Sequence, residues 1–297
     1  MSTLQLQEDT VVRKERRLPT EGEALVKPGD HVEAETVVAR GVVENPDIRE
    51  LRVFSSLGVS PDMAKNYMLK STGDDVGRDE VIAIYRSFFG RSTKVARSPI
   101  DGKIENFSPV TGRAIIRGHP IQMDVKAHLP GEIAELIDGE GAIVEARAAV
   151  LQGAFGLGGE ARGELAFSLD SPDLPLTSGE IKAEHKGKVI VGGSVVTVDA
   201  LHAAARNGVA AVIVGGVDQK DLTEFLGYEM GVGVTGGEDL GFTLIITEGF
   251  GVNPIDDARF SLLKEHEGRL ACVDGTTQIR SRIQRPEVII PLCLERV

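Results

Sequence analysis

Four glycine-bearing segments carry the side chains best suited to hold a ligand: VGGSV (191–195), VGGVD (214–218), TEGFGVN (247–253) and VDGTTQIRSR (273–282). Glycine lets backbone N–H groups come close to a bound anion, while hydroxyls and guanidinium groups add donors. The candidate ligand-binding set is therefore Gly193, Gly216, Thr247, Glu248, Thr276, Thr277 and Arg280, with Arg282 and Arg285 close by in the chain. A small anionic metabolite is what such a set would take. The same glycines also serve tight strand-to-helix turns in any α/β protein, a role that needs no ligand.

Other chemistry is weakly signalled. GAFGLGGEARG (153–163) is rich in glycine, but Gly156, Gly158 and Gly163 are out of register with the G-x-G-x-x-G fingerprint, and the residues after them read as strand. It fits a glycine-rich hairpin or linker better. The six histidines, His31, His119, His128, His185, His202 and His266, include no pair at helical spacing, so no metal site has local support. Cys272 sits mid-strand as a small core residue, and the two cysteines form no C-x-x-C pair. There is no G-x-S-x-G elbow and no phosphate loop. Asp256 and Asp257 follow Pro254 at a helix start, where carboxylates complement the helix dipole. No catalytic residue and no cofactor is expected.

The elements that would position the candidate set are clear in the second half. KVIVGG (188–193), AAVIVGG (210–216), FTLIITEGFG (242–251) and RLACVDG (269–275) are apolar runs of strand length. Helical patterns separate the first three from one another and from the fourth: TVDALHAAARNGV, ended by Gly208, then DQKDLTEFLGYEMGV, then PIDDARFSLLKEHEG. Strands so uniformly apolar, alternating with helices, predict a mainly parallel sheet covered on both faces. Ligands of such sheets bind beyond the carboxyl ends of the strands, which is where the glycine segments fall. RIQRPEVIIPL (282–292) is expected to add a strand or to dock as a tail on the first half.

The first half has a different grammar. GDHVEAETVVA (29–39) returns as GDDVGRDEVIA (73–83), 44 positions later. A second pair follows, SPIDGKIENF (98–107) and LPGEIAEL (129–136), each with a Gly-x-Ile step that suits a turn leading into a strand. Between the Gly-Asp copies lies a helical insert near 45–70, with Ser60 as N-cap and Pro61 at the first helical position of SPDMAKNYMLKS. Duplicated half-motifs of this kind resemble the signature turns of the biotinyl/lipoyl-like fold, the barrel-sandwich hybrid, over about residues 20–152. That fold occurs in biotin and lipoyl carriers and in large RNA-polymerase subunits. The resemblance implies a carrier lysine on a hairpin about seven residues before SPIDG, but Arg91 stands there, and Lys94 and Lys70 are out of register. Arginine cannot form the amide with biotin or lipoate. What the resemblance implies is the unmodified, structural version of the fold.

The expected architecture is thus α+β with two domains. Residues 1–152 form a barrel-sandwich-hybrid-like β domain, and 153–297 form an α/β domain with a C-terminal tail. The formal net charge of −12 argues against direct nucleic-acid binding, and scarce aromatics (4%) argue against base stacking. RKERR (13–17) reads as the solvated end of a strand or a basic arm. No run of 18 apolar residues and no apolar leader is present, so a cytoplasmic protein with no membrane partner is expected. Function is expected to lie in docking to a protein partner or a second copy of the chain. An enzyme or sensor acting on a small anionic metabolite is the alternative.

Overall fold

The computed structural model describes residues 4–86, 92–228, 240–277 and 284–292. In chain order the early strands are β1 (Leu6–Arg17), β2 (Gly22–Ala24), β3 (His31–Val32), β4 (Val37–Val43) and β5 (Ile48–Arg52). A short helix α1 (Val53–Leu57) and a 3-10 helix (Pro61–Tyr67) come next. Then follow β6 (Asp75–Val76), β7 (Val81–Arg86), β8 (Thr93–Arg97), β9 (Gly102–Ser108) and β10 (Arg113–Arg117). β11 (Ile121–Lys126), β12 (Gly131–Ile137) and β13 (Gly141–Gln152) complete the first half. The second half runs β14 (Phe155–Leu157), β15 (Glu160–Phe167), β16 (Val189–Val191), α2 (Val198–Asn207), β17 (Ala211–Val217) and α3 (Gln219–Leu226). It closes with β18 (Thr243–Phe250), α4 (Asp257–Glu265), β19 (Leu270–Asp274) and β20 (Glu287–Pro291).

The division into compact units does not fall at residue 152. One unit comprises 1–16, 25–38 and 126–297, and the other 17–24 and 39–125. The physical reason is a hydrogen-bonded ladder that ignores the midpoint. β13 pairs with β12 at its start (Ile137↔Gly141) and with β20 at its end (Ala148↔Pro291), joining first-half strands to the second-half sheet.

In the first unit an eleven-stranded sheet has the order β14-β18-β17-β16-β15-β19-β20-β13-β12-β3, with β1 also on β13. β15–β16, β16–β17 and β17–β18 pair in parallel, whereas β12–β13, β13–β20, β14–β18, β15–β19 and β19–β20 pair antiparallel, so the sheet is mixed and not mainly parallel. β19, expected among the parallel strands, runs antiparallel to β15 and β20. An apolar run reports burial on both faces, and burial is blind to direction. The four-strand parallel core is covered on both faces as expected. Ile190, Val212, Val214, Leu244 and Ile246 meet Leu201 and Ala204 of α2 and Leu222 of α3. Their alternates Val189, Val191, Ile213 and Ile245 meet Leu262 and Leu263 of α4. Each fully buried Val, Leu or Ile among these contributes about 1.5–3 kcal/mol. α2 begins where the Thr197 hydroxyl accepts the Ala200 N–H (3.3 Å) and ends at Gly208 with φ +65°.

In the second unit, β5-β10-β9-β6 form a four-stranded sheet and β7-β8 a hairpin ladder. Their core gathers Val53, Leu57, Ile82, Ile104 and Ile116. The insert starts at Ser60 with Pro61 at its first position, but it is a 3-10 helix with no side-chain cap.

The repeated turns have matching hydrogen bonds. Gly29 (φ +89°) donates to the Ile133 carbonyl (2.8 Å), and Gly73 (φ +95°) to the Ile104 carbonyl (2.7 Å). Asp30 accepts from the Lys27 N–H (2.8 Å) and Asp74 from the Ser71 N–H (2.7 Å). Downstream, Glu33 N–H bonds the Thr36 hydroxyl (3.0 Å) and Gly77 N–H the Glu80 carboxylate (2.8 Å). Gly131 sits opposite Val32 and Gly102 opposite Val76. A side chain at Gly102 would strike the Arg117 carbonyl (2.1 Å), and one at Gly131 the Glu145 carbonyl (2.3 Å). The first Gly-Asp turn therefore pairs with the last Gly-x-Ile element, and the second turn with the nearer one. The two copies are nested, the inner lying wholly within the chain of the outer.

Candidate functional site

The strand-end glycines are filled by the protein's own backbone. Val191 lies opposite Ile213, and Val214 opposite Ile246, so these positions are neighbours on parallel strands. Beyond them a Cβ at Gly193 would sit 1.9 Å from the Leu174 carbonyl, and one at Gly216 2.0 Å from the Gly251 carbonyl. Glycine is required there for chain-on-chain packing. Thr247 is fully buried, with its hydroxyl 3.4 Å from the Val214 carbonyl. Glu248 accepts the Asp256 N–H (3.2 Å) and pairs with Arg259 (3.2 Å), and Asp256 itself caps α4. The carboxylate expected to greet a ligand instead ties strand to helix.

Thr276 and Thr277 do not join that end. Because β19 is antiparallel to β15, with Asp274 opposite Glu160, the residues after Asp274 emerge at the amino end of the parallel strands. The Thr277 hydroxyl donates to the Gly156 carbonyl (3.1 Å) and accepts the Gly156 N–H (2.9 Å), while Thr276 N–H bonds the Asp274 carboxylate (2.9 Å). Arg280, Arg282 and Arg91 lie outside the described residues. The structure thus divides the expected ring between opposite ends of the sheet.

At this amino end lies a partly buried charged cluster that residue types alone do not reveal. From Thr10 onward β1 alternates, and its even-numbered residues are the less exposed ones. Two of them are Lys14 and Arg16 of the RKERR run, so that run is only partly solvated. Lys14 Nζ pairs with Glu287 and stands 3.6 Å from Asp274. Burial works to lower the Lys14 pKa, but the charges of Glu287, Asp274 and Glu160 outweigh it and hold the ammonium above its ordinary value. Such a lysine is no nucleophile. Arg16 forks onto Glu160 (Nη2–Oε2 2.8 Å) and donates from Nε to the Lys126 carbonyl (2.7 Å).

His128 completes the cluster. It is 1% exposed, holds φ +72°, and neither ring nitrogen has a hydrogen-bond partner. Its Nδ1 is 3.7 Å from Glu160. Burial pushes its pKa down to about 4, against the pull of Glu160, so the ring is neutral at pH 7. Cys272, on the strand opposite Arg162, is pushed up to about 12 by burial and is inert as a thiolate. Among the described residues, no group of three or more His, Cys, Asp or Glu is placed to hold a metal ion.

An open groove of about 940 Å³ lies on the other face of β1, within the same unit. Its lining mixes apolar side chains, including Val11, Leu270 and Leu292, with His31, Glu33, Glu132, Glu145, Arg147 and Arg269. Register explains the charged wall. His31 is opposite Glu132 on β12, and Glu132 is opposite Glu145 on β13, so the three form a row across one face. Arg13 reaches Glu145 (3.5 Å) and Glu135 (2.6 Å), and Asp9 neutralises Arg147 through a bidentate pair. Glu33 and Glu132 are exposed, and among the described residues no cation pairs with either. These residues come from six separated segments, so no local motif announces the groove. Comparison of the chain with family models, with curated proteins and with solved structures finds no match.

Proposed function

We propose that this protein is a non-catalytic interaction or assembly protein, and that its outer Gly-Asp-turn motif is a docking module of the unmodified barrel-sandwich type. The observation that carries this is the groove beside β3, β12 and β13, where carboxylates stand exposed without cationic partners. Several polar groups among the described residues are instead spent on the fold itself. Thr277, Glu248, Lys14 and Arg16 all have internal partners. An enzyme or sensor for a small anionic metabolite draws less support, because Thr276 and Thr277 lie at the opposite end of the sheet from Gly193, Gly216 and Glu248. Among the described residues no helix is long and apolar enough to cross a membrane.

Size-exclusion chromatography with light scattering, followed by reconstitution with any co-purifying protein, tests the proposal. A homo-oligomer or a defined complex is expected, weakened by Glu132→Arg. A strict monomer that binds no partner at micromolar concentration contradicts it.

A further inference from the structure

We infer that the occupant of the groove is an extended segment of a partner protein in which basic and apolar residues alternate. This rests on the docking function proposed above and specifies its partner. The groove is about 940 Å³, at the upper end of small-molecule sites, and residues of three adjacent stretches, 31–33, 130–132 and 145–147, line it. Its two unneutralised carboxylates are spread out. Glu33 lies two residues beyond His31, just past the end of β3, and Glu132 is on the neighbouring strand opposite His31. Positions two apart on a strand are separated by about 6.5–7 Å, and neighbouring strands by about 4.8 Å. An extended segment places every second side chain on one face at that same spacing, so successive basic residues can meet successive carboxylates.

The apolar part of the lining fits the alternate residues. Val11 is 61% exposed and Leu270 37%, which leaves apolar surface for the intervening side chains. Electrostatics select the sign. Glu132 directly faces Glu145, a like-charged cross-strand pair that Arg13 relieves on the Glu145 side alone. A cation over Glu132 removes that repulsion. At the other end Arg147 is matched by Asp9, and among the described residues Arg269 has no ion pair, so the match is to a short basic stretch and not to a uniform polycation.

The experiment is fluorescence anisotropy on the full chain with three probes: an end-blocked peptide of alternating lysine and valine, its glutamate counterpart, and spermine as competitor. The lysine peptide is expected to bind, the glutamate peptide not to bind, and spermine to compete poorly because it lacks the apolar residues. Glu33→Gln combined with Glu132→Gln should weaken the lysine peptide about tenfold, or about 1.4 kcal/mol, with melting temperature unchanged. A second double variant, Glu224→Gln with Glu265→Gln on the exposed faces of α3 and α4, should leave affinity unchanged. Equal weakening by both pairs would mean general attraction to a chain of net charge −12 and would overturn the inference. Absence of binding, or binding indifferent to Glu33 and Glu132, would overturn it too. Either failure leaves the broader docking function standing if a reconstituted complex still forms.

Discussion

Acid should destabilise this protein through one side chain more than any other histidine, and His128→Asn should remove that effect. His128 is buried, without hydrogen-bond partners, and its pKa falls from the ordinary 6.5 to about 4. At about 1.36 kcal/mol for each pH unit, the gap is worth about 3 kcal/mol. The sign follows from which state takes the proton. Between pH 6.5 and about 4 the unfolded chain protonates this imidazole while the folded chain does not, so stability is lost as pH falls through that window. Asparagine suits the left-handed backbone at φ +72° and does not titrate. The assay is urea unfolding of both proteins at half-unit steps from pH 7.5 to 4. His185 and His266 also have lowered pKa values from burial, but they are common to both chains and cancel in the difference. The wild-type minus variant difference should fall by about 3 kcal/mol across the window. A difference that stays flat, or rises as pH falls, refutes the assignment of a neutral, desolvated ring.

Three further outcomes are expected from the same unfolding assay. Lys14→Met should cost about 3–5 kcal/mol at pH 7 by leaving Glu287 and Asp274 without their cation; because the Lys14 pKa is raised, the wild-type advantage persists at neutral pH and is lost above pH 10.5. Gly193→Ala should cost about 1–3 kcal/mol or more, since a Cβ there would lie 1.9 Å from a backbone carbonyl, and a loss below that would mean the chain crossing at Leu174 is looser than described. Gly29→Ala and Gly73→Ala should each cost about 1–2 kcal/mol and agree with one another, because both have strongly positive φ and open space around them. Unequal costs would weaken the equivalence of the two turns.

The duplicated turns were legible because each is local. A Gly-Asp pair at fixed distance from valine specifies its own hydrogen bonds, and both copies make them. Their nesting was not legible. The order turn, turn, element, element is compatible with either pairing, and only the ladders Gly131↔Val32 and Gly102↔Val76 decide. The parallel core and its helices were readable from apolar runs and caps such as Thr197 and Gly208. The direction of β19 was not, and that single reversal moved Thr276 and Thr277 away from the strand-end glycines. RKERR read as a solvated strand end or basic arm, and its partners were not legible, since Glu287 lies 273 positions from Lys14. The groove depends on register across β3, β12 and β13, a property of pairing that no one segment carries.

Whether partners dock on the groove is tested most directly by placing a photo-crosslinking residue at one position at a time in the full chain. Glu33 and Leu270 line the groove, whereas Val252, 72% exposed, follows β18 at the carboxyl end of the parallel strands. With a reconstituted partner, or with the chain itself if it self-associates, crosslinks are expected from 33 and 270 and not from 252. Crosslinks from 252 with none from 33 or 270 would contradict the docking groove and return attention to the strand ends.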